Sequence, residues 1–503
     1  MTGRMTIIRG GLLLDIRGHK AEPRDILIEG DTIRTIGPPG LEAPADAEVI
    51  DATRRLMHPG LINAHTHGHG NLSKGMGDRW TLELLLNAGP SISGGRLLED
   101  KYLSTYLGAV ESLLKGCTAC YDLTAEFPSP SVEGLHACAD AYRDAGMRAV
   151  LAPMVADRTF YESIPGLIDA LPEARRRDVE RFRVAPGERS LAIMREAIAS
   201  WTHDRDMVRP AVAPTIAHHC SDAFMLGCAE LAREFGLGLH SHVQESKVQV
   251  MVALERYGKT QTAHLDDLGL LGPDFTAAHG VWLDKDDMRR LAAHGASVAH
   301  NPFSNMRLGN GIADVATMLR LGVNVGLGTD GANCSDNLNM YESMHLASAA
   351  SKSRGPDIRD WLTTEEVAEA ATAGSARALG LGDRIGAIQE GYKADIVFLD
   401  LDHPNWIPMN GPTNQFVHTE DATAVHSVMV GGVMRVQDRR LVGIDLAALA
   451  TRAEQARERL AGATHDNKIL CEALADAVDQ HCSCLARKPY KVNRFTSALV
   501  GSE

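Results

Sequence analysis

Between residues 58 and 382, short apolar runs alternate with longer amphipathic segments, and this alternation restricts the fold more than any other feature. The runs are seven or eight residues long, and amphipathic stretches such as AFMLGCAELAREFG separate them. Their positions are 61–67, 118–124, 148–155, 208–215, 236–243, 276–283, 296–302 and 324–330. Eight strand-plus-helix units of this kind predict an α/β fold, a (β/α)8 barrel over residues 58–382.

The segments on either side of the barrel have the pattern of short strands separated by turn residues. Residues 1–57 and 383–445 therefore predict one small β-sandwich domain, discontinuous in sequence, with the barrel inserted into it. Residues 446–503 begin as two helical stretches and end in a basic tail. We expect this C-terminal helical extension to serve packing or contact between subunits.

The composition excludes several classes of protein. The 503 residues include 51 Lys and Arg against 65 Asp and Glu, a net charge of −14. This charge disfavours non-specific binding to nucleic acid or to an anionic membrane. A transmembrane helix needs about 18 consecutive apolar residues, and no run in this sequence is that long, so no such helix is expected. Nine cysteines without a paired CxxC framework favour the reducing cytoplasm.

Side chains able to bind a metal stand at the ends of four of the predicted strands. The first run ends in His65 and His67, which are two residues apart and therefore share one side of a strand. The fifth run ends in a second such pair that includes His242, the sixth carries His279, and the eighth ends in Asp330. Active groups of a barrel lie at these strand ends, so the sequence predicts a transition-metal site there.

Two carboxylates are candidates for proton transfer. Glu245 lies three residues after His242, where it can take a proton from an activated water and pass it to a leaving nitrogen. Asp330 lies in a Gly-Thr-Asp-Gly run that would otherwise indicate a plain turn. We predict that it binds the metal and accepts a proton, with Gly328 and Gly331 giving it backbone room.

Six phrases carry a resemblance to a known family: HPGLINAHTHGHGNLSKGMGD, HSHVQES, AAHGVWL, VAHNPFSNMRLGNGIADV, GVNVGLGTDGANCSDNLNMYESM and GYKADIVFLD. With them, residues 5–440 resemble the amidohydrolase superfamily, and within it the ATZ/TRZ group of triazine hydrolases and nucleobase or adenosine-type deaminases. The resemblance implies a distorted (β/α)8 TIM barrel with a small β-sandwich, and a homodimer or homotetramer.

The resemblance also implies the metal and its ligands. One divalent transition metal per chain, zinc in the first place and iron or another metal as alternatives, would be bound by His65, His67, His242 and Asp330. The fourth run ends without the lysine that binuclear relatives carbamylate, which supports a single metal. His279 would orient the water or the reacting group of the substrate, or approach the metal itself. Residues 301–305 resemble the family's structural HNPxSN turn.

The chain departs from the adenosine-type deaminases in the region that recognises substrate. Thr215 stands where those enzymes have a histidine, and Cys334 replaces a serine four residues after the barrel aspartate. His218 and His219 either line the pocket or are ordinary loop histidines. Trp80 and Trp282 are weaker candidates for substrate binding, as is Arg79.

The expected reaction is hydrolytic displacement of an amino or substituted-amino group from an N-heterocycle, which releases ammonia or an amine. A hydrolase of an amide, urea or carbamate bond, or a triazine dechlorinase, would use the same groups and is the alternative. A non-catalytic metal-binding protein is a more distant alternative. It is disfavoured because none of the six metal and acid/base residues is missing. We expect a small-molecule substrate.

Overall fold

The computed structural model describes residues 4–496, so the last seven residues of the predicted C-terminal extension lie outside the described part. Eighteen strands are found within these residues. They are β1 (Met5–Asp15), β2 (Lys20–Glu29), β3 (Thr32–Gly37), β4 (Glu48–Asp51), β5 (Arg55–Pro59), β6 (Leu61–Thr66), β7 (Cys117–Ala125), β8 (Arg148–Val155), β9 (Val208–Pro210), β10 (Ala213–Pro214), β11 (Leu239–Val243), β12 (Phe275–His279), β13 (Ser297–His300), β14 (Asn324–Leu327), β15 (Ile396–Asp400), β16 (Val425–Val430), β17 (Val433–Gln437) and β18 (Arg440–Leu441).

The same part of the chain forms eighteen α-helices. They are α1 (Leu82–Ser93), α2 (Leu98–Leu114), α3 (Val132–Ala145), α4 (Phe160–Ser163), α5 (Leu167–Ala170), α6 (Gly187–Ala199), α7 (Asp222–Phe235), α8 (Lys247–Tyr257), α9 (Gln261–Asp267), α10 (Lys285–Ala293), α11 (Pro302–Arg307), α12 (Val315–Arg320), α13 (Met340–Lys352), α14 (Thr364–Glu369), α15 (Ser375–Ala378), α16 (Pro412–His418), α17 (Leu446–Ala463) and α18 (His465–Arg487). None of these helices is long and apolar enough to cross a membrane.

Two parallel sheets form the barrel, in the orders β10-β8-β7-β6 and β11-β12-β13-β14. Parallel bridges from Val212 to Leu239 and from Ile216 to His242 join them on one side. On the other side, the Asp330 amide donates to the carbonyl oxygen of His65 at 2.9 Å, which closes the ring. The strands are buried on both faces, as their continuous apolar runs predict.

The fourth apolar run differs from its prediction as a single strand. It is divided into the short strands β9 and β10, because Pro210 and Pro214 have no amide to donate to a ladder. Between them the chain changes partners: the Ala211 amide donates to Leu151 in β8, and the Val212 amide donates to Gly238, just before β11. This irregular strand therefore links the two half-barrels.

Strands from both flanks of the barrel form one nine-stranded sheet. Its order is β18-β17-β16-β15-β5-β1-β2-β3, and β4 pairs with β1. The join is the antiparallel pair of β5 and β15, with Met57 opposite Phe398. Segments from before and after the barrel thus form one sheet. The predicted boundaries of the three domains stay a prediction.

The C-terminal helices pack against the barrel's outer layer. Leu449 and Ala456 of α17 lie in a cluster with Leu103 and Val110 of α2. The buried face of α18, which includes Leu474, packs in a second cluster with residues of α5 and α8. The helical character predicted after residue 446 is therefore observed through Arg487.

Candidate active site

The metal-capable residues meet at the carboxyl ends of the barrel strands. His65 lies in β6 with His67 just after it, His242 lies in β11, and His279 ends β12. Asp330 follows β14, and all five side chains are almost completely buried. Two of them have left-handed backbones, His279 with φ 70° and Asp330 with φ 63°. Such conformations are strained for residues other than glycine and concentrate at functional sites.

The segment after β14 packs closely against β6, because Gly328 has no side chain to keep the two backbones apart. A Cβ at Gly328 would lie 2.8 Å from the carbonyl oxygen of His65 and 2.3 Å from the side-chain oxygen of Asn301. A glycine is therefore required at position 328, two residues before Asp330. This is the backbone room that the sequence pattern predicted for Gly328.

His67 and His242 are each held by a backbone oxygen so that their Nε2 atoms face each other. The Nδ1 atom of His67 lies 2.7 Å from the carbonyl oxygen of Leu123, and that of His242 lies 2.7 Å from the carbonyl oxygen of Thr215. A carbonyl oxygen only accepts, so each Nδ1 carries the proton and each Nε2 presents a lone pair. The two Nε2 atoms are 3.4 Å apart. Metal-ligating histidines are oriented in this way.

His65 completes the cluster. Both of its ring nitrogens are buried, and within residues 4–496 neither makes a well-formed hydrogen bond. Burial lowers the pKa of His65 to about 3, so the ring is neutral. Its Nε2 lies 3.4 Å from Oδ1 of Asp330, and Nε2 of His67 lies 3.1 Å from the same oxygen. A buried imidazole with no partner is costly unless something else occupies its lone pair.

These residues fit a divalent metal. The ligand atoms of His65, His67 and His242 lie within 4.8 Å of one another, and so do those of His65, His279 and Asp330. Three imidazoles and one carboxylate suit zinc and similar metals. Burial opposes ionisation of Asp330, yet the contacts with His65 and His67 hold its pKa well below the ordinary value.

The HNPxSN turn supports both His279 and Asp330. The Nδ1 atom of His279 donates to the side-chain oxygen of Asn305 at 2.8 Å, which directs Nε2 into the site. Ser304 donates its hydroxyl to Oδ2 of Asp330 at 2.5 Å. The turn predicted to be structural thus also orients two reactive side chains.

Glu245 reaches the same space from the loop after β11. Its Oε2 atom lies 3.6 Å from Nε2 of His279, and its Oε1 atom accepts from the side-chain amide of Asn310 at 3.0 Å. Burial and the nearby carboxylates of Asp330 and Glu83 raise its pKa well above the ordinary value. A carboxyl group in this state can donate a proton.

A cavity opens above these groups, and only part of the predicted substrate-binding set lines it. His219 and Cys334 lie on its wall, as does Thr215. The structure does not place Trp282 there: it is fully buried, and its Nε1 donates to the backbone oxygen of Asn310 at 2.8 Å.

Trp80 and His218 also lie away from the cavity wall. Trp80 packs beside Leu82 and Leu308. His218 is buried behind His219, and its backbone oxygen accepts from Arg256 at 2.6 Å. These two positions, like Trp282, support the wall from behind.

Sequence reasoning missed two residues of the site. Asn310 binds Glu245, but a single asparagine in the glycine-containing stretch after α11 forms no pattern. His69 lines the cavity, and its Nδ1 accepts from the Ala125 amide at 3.1 Å. The repeat of histidines at 65, 67 and 69 was the available signal for it.

Residues 56–435 match the amidohydrolase family. The match covers the barrel, the flanking strands β15 and β16, and most of β5 and β17. The chain belongs to the amidohydrolase family. The predicted family resemblance and the distorted barrel with an additional β-rich part are thereby confirmed.

Curated relatives in this family are deaminases. The chain is 33% identical over 442 residues to 5-methylthioadenosine/S-adenosylhomocysteine deaminase of Syntrophobacter fumaroxidans, covering 86% of this chain and 93% of the relative. It is 31% identical over 443 residues to 5'-deoxyadenosine deaminase of Methanosarcina mazei, with 86% and 93% covered. The predicted class, a metal-dependent hydrolase of carbon–nitrogen bonds, is confirmed.

Solved structures with zinc share the fold. An adenosine deaminase from Xanthomonas campestris with bound zinc has a TM-score of 0.80 at 26% identity, covering 90% of this chain and 98% of that one. The atrazine chlorohydrolase of Arthrobacter aurescens TC1 complexed with zinc also has a TM-score of 0.80, at 25% identity, covering 90% and 100%. Together with the histidine and aspartate cluster, these neighbours support a divalent metal.

Proposed function

We propose that this amidohydrolase is a hydrolytic deaminase of an aminated N-heterocycle that uses one zinc or similar divalent ion per chain. The ligands would be His65, His67, His242 and Asp330. We also propose that the protein is a homodimer or homotetramer and that it is cytoplasmic. The cytoplasmic location is supported by nine free cysteines, eight of them buried.

One observation carries the proposal. The Glu245 carboxyl and the Asp330 carboxylate both lie near His279, at 3.6 Å and 4.0 Å from its Nε2, beside the histidine cluster and within the cavity lining. Two carboxyl groups whose pKa values are shifted in opposite directions provide one acid and one base. Deamination needs such a pair, because water must lose a proton and the leaving nitrogen must gain one.

The mechanism follows from this geometry. A divalent ion bound there would act as a Lewis acid and activate water at neutral pH. Asp330 accepts a proton from the attacking water through a carboxylate oxygen. Glu245 delivers a proton to the leaving nitrogen. His279, whose Nδ1 donates to Asn305, presents an Nε2 lone pair that accepts a hydrogen bond from the attacking water and orients it. A carbon–oxygen bond forms, the carbon–nitrogen bond breaks, and ammonia leaves.

The test is ammonia release from a panel of aminopurines, aminopyrimidines and aminotriazines, with bound metal measured in the same samples. We expect release from one ring class and its loss in Glu245→Gln. Glu230→Gln, at an exposed position of α7, is the matched control and should keep full activity. Silence across the panel with about one metal per chain would contradict deamination and indicate amide, urea or carbamate cleavage instead. Chloride release from a chlorotriazine would indicate dechlorination.

A further inference from the structure

The cavity has an apolar wall, which we call the outer wall. It consists of Leu82, Leu86, Phe127, Phe160 and Phe182. These side chains come from α1, from the loop after β7 and from the segment between β8 and α6. Phe127 is 53% exposed, which places it at the mouth. A substituent on the ring of a bound substrate would lie against this wall.

The carboxylates of the cavity are already engaged. Among the lining residues that the structure describes, the acids are Glu126, Glu245 and Asp330. The last two belong to the reacting centre. Glu126 forms an ion pair with Lys101 and accepts from both the amide and the hydroxyl of Ser131, each at 2.9 Å. No lining carboxylate is left to accept hydrogen bonds from a vicinal diol.

The two basic residues beside the outer wall differ in charge, because the guanidinium of Arg158 is always charged whereas the ring of His219 is neutral. Arg158 directs its Nη1 toward the backbone oxygen of Cys220, at 3.4 Å. His219 is buried, and its Nε2 has no partner in the described part of the chain. Burial and the nearby Arg256 lower its pKa to about 3, so the ring is neutral. A neutral imidazole exchanges hydrogen bonds with ring nitrogens and amino groups.

From this arrangement we infer that the preferred substrate is an aminated heterocycle with apolar substituents, and not a ribonucleoside. The inference deepens the proposed function and rests on it for the reaction. Alkyl groups would be removed from water against the outer wall, which favours binding. Sugar hydroxyls would lose their water without a charged acceptor to replace it, which disfavours binding.

The reaction is balanced for such a substrate. One water adds its oxygen to the ring carbon that bears the amino group, and the bond from that carbon to nitrogen breaks. Both hydrogens of water are accounted for: one is transferred to the departing nitrogen, and the other stays on the oxo or hydroxy heterocycle. The products are that heterocycle and ammonia, and no oxidant or further reactant is needed.

The experiment compares matched pairs that differ only in the substituent. The probes are 9-ethyladenine against adenosine, and an N-ethyl against an N-(2-hydroxyethyl) aminotriazine. Their dissociation constants are measured on the metal-loaded Glu245→Gln variant, and ammonia release is measured on the wild type. We expect the alkyl member of at least one pair to bind about tenfold or more tightly, the factor for one hydroxyl buried without a partner.

The outcomes separate this inference from the proposed reaction. Tighter binding of alkyl probes without ammonia release would keep the inference and overturn the deaminase proposal. Equal or tighter binding of the hydroxylated probes, or binding of neither member of either pair, would overturn the inference. Faster ammonia release from adenosine or 5'-methylthioadenosine than from 9-ethyladenine would overturn it as well.

A variant of the outer wall gives a second test. Leu86→Asn puts an amide where the alkyl group would pack, so the preference for the alkyl probe should fall by about fivefold or more. Leu226→Asn, at an exposed position of α7, is the matched control and should keep the preference. An unchanged preference in Leu86→Asn would contradict the assignment of this wall to the substituent.

Discussion

Individual histidines in this protein differ in what fixes their ring nitrogens. His67 and His242 each donate Nδ1 to a backbone oxygen, whereas no backbone oxygen among residues 4–496 fixes either ring nitrogen of His65. The backbone thus sets the tautomer of two candidate ligands before any ion arrives. Because the ring of His67 is oriented toward the site, we expect its removal to affect metal binding and not the fold.

His67→Ala should lower the metal content of the purified protein to well below that of the wild type. The reason is that the variant removes one imidazole from a cluster whose ligand atoms lie within 4.8 Å. Elemental analysis after dialysis is the measurement. His294→Ala, at an exposed position just after α10, is the control. Full metal occupancy in His67→Ala would exclude His67 from the ligand set.

Asn310 acts on the reaction through Glu245, which makes it a positioning residue. Asn310→Ala removes the 3.0 Å hydrogen bond to Glu245, and we expect kcat to fall about tenfold to a hundredfold. Metal content and the unfolding midpoint should change little. The control is Asn414→Ala at an exposed position of α16. A fall in metal content equal to the fall in kcat would indicate a merely structural role.

Single elements show what the sequence could predict and what it could not. The HxH spacing and the strand-end positions predicted which residues would meet, because carboxyl ends of parallel strands share one edge of a barrel. The break between β9 and β10 was not predicted, although Pro210 and Pro214 were visible. The position of α18 could not be predicted, because an amphipathic pattern shows that a face is buried but not which surface covers it.

Helix α18 is connected to the cavity through one buried asparagine. Asn87 of α1 donates to the backbone oxygen of Cys471 in α18 and accepts from the hydroxyl of Tyr161, both at 2.9 Å. Tyr161 lines the cavity beside Leu85. The C-terminal extension, which had no expected chemical role, therefore supports a wall of the candidate active site.

Asn87→Ala should lower the free energy of unfolding by about 1–3 kcal/mol, because it leaves the buried Tyr161 hydroxyl without its partner and removes a second hydrogen bond, to the Cys471 carbonyl of α18. Urea denaturation measures the change. Tyr161→Phe removes one of the two hydrogen bonds and should have a smaller effect. Stability equal to that of the wild type in Asn87→Ala would contradict this connection.

At the scale of the whole molecule, a buried ion pair joins the barrel to the flanking sheet. The Nε atom of Arg148 in β8 lies 2.7 Å from Oδ2 of Asp395, which precedes β15, and both side chains are only 3% exposed. The Gly431 amide also donates to Asp395, at 2.7 Å. Both parts of the protein contribute to this contact.

Removing only one charge of this pair should be strongly destabilising. Asp395→Ala leaves the Arg148 guanidinium buried without its partner, and we expect a loss of about 3–5 kcal/mol in unfolding free energy. The double variant Arg148→Met with Asp395→Ala should recover part of that loss. If thermal and urea denaturation show no difference between Asp395→Ala and the wild type, the pair does not connect the two parts energetically.

The shared sheet also imposes an order of events on synthesis. Strand β5 ends at Pro59, and its partner β15 begins at Ile396. At about 5–20 residues per second, the ribosome delivers the partner roughly 20 to 70 s later. During that interval β5 presents an open edge of unpaired amides and carbonyls, which other chains can pair with. A nascent chain of this protein thus exposes this edge until the barrel has been made and the sheet can close.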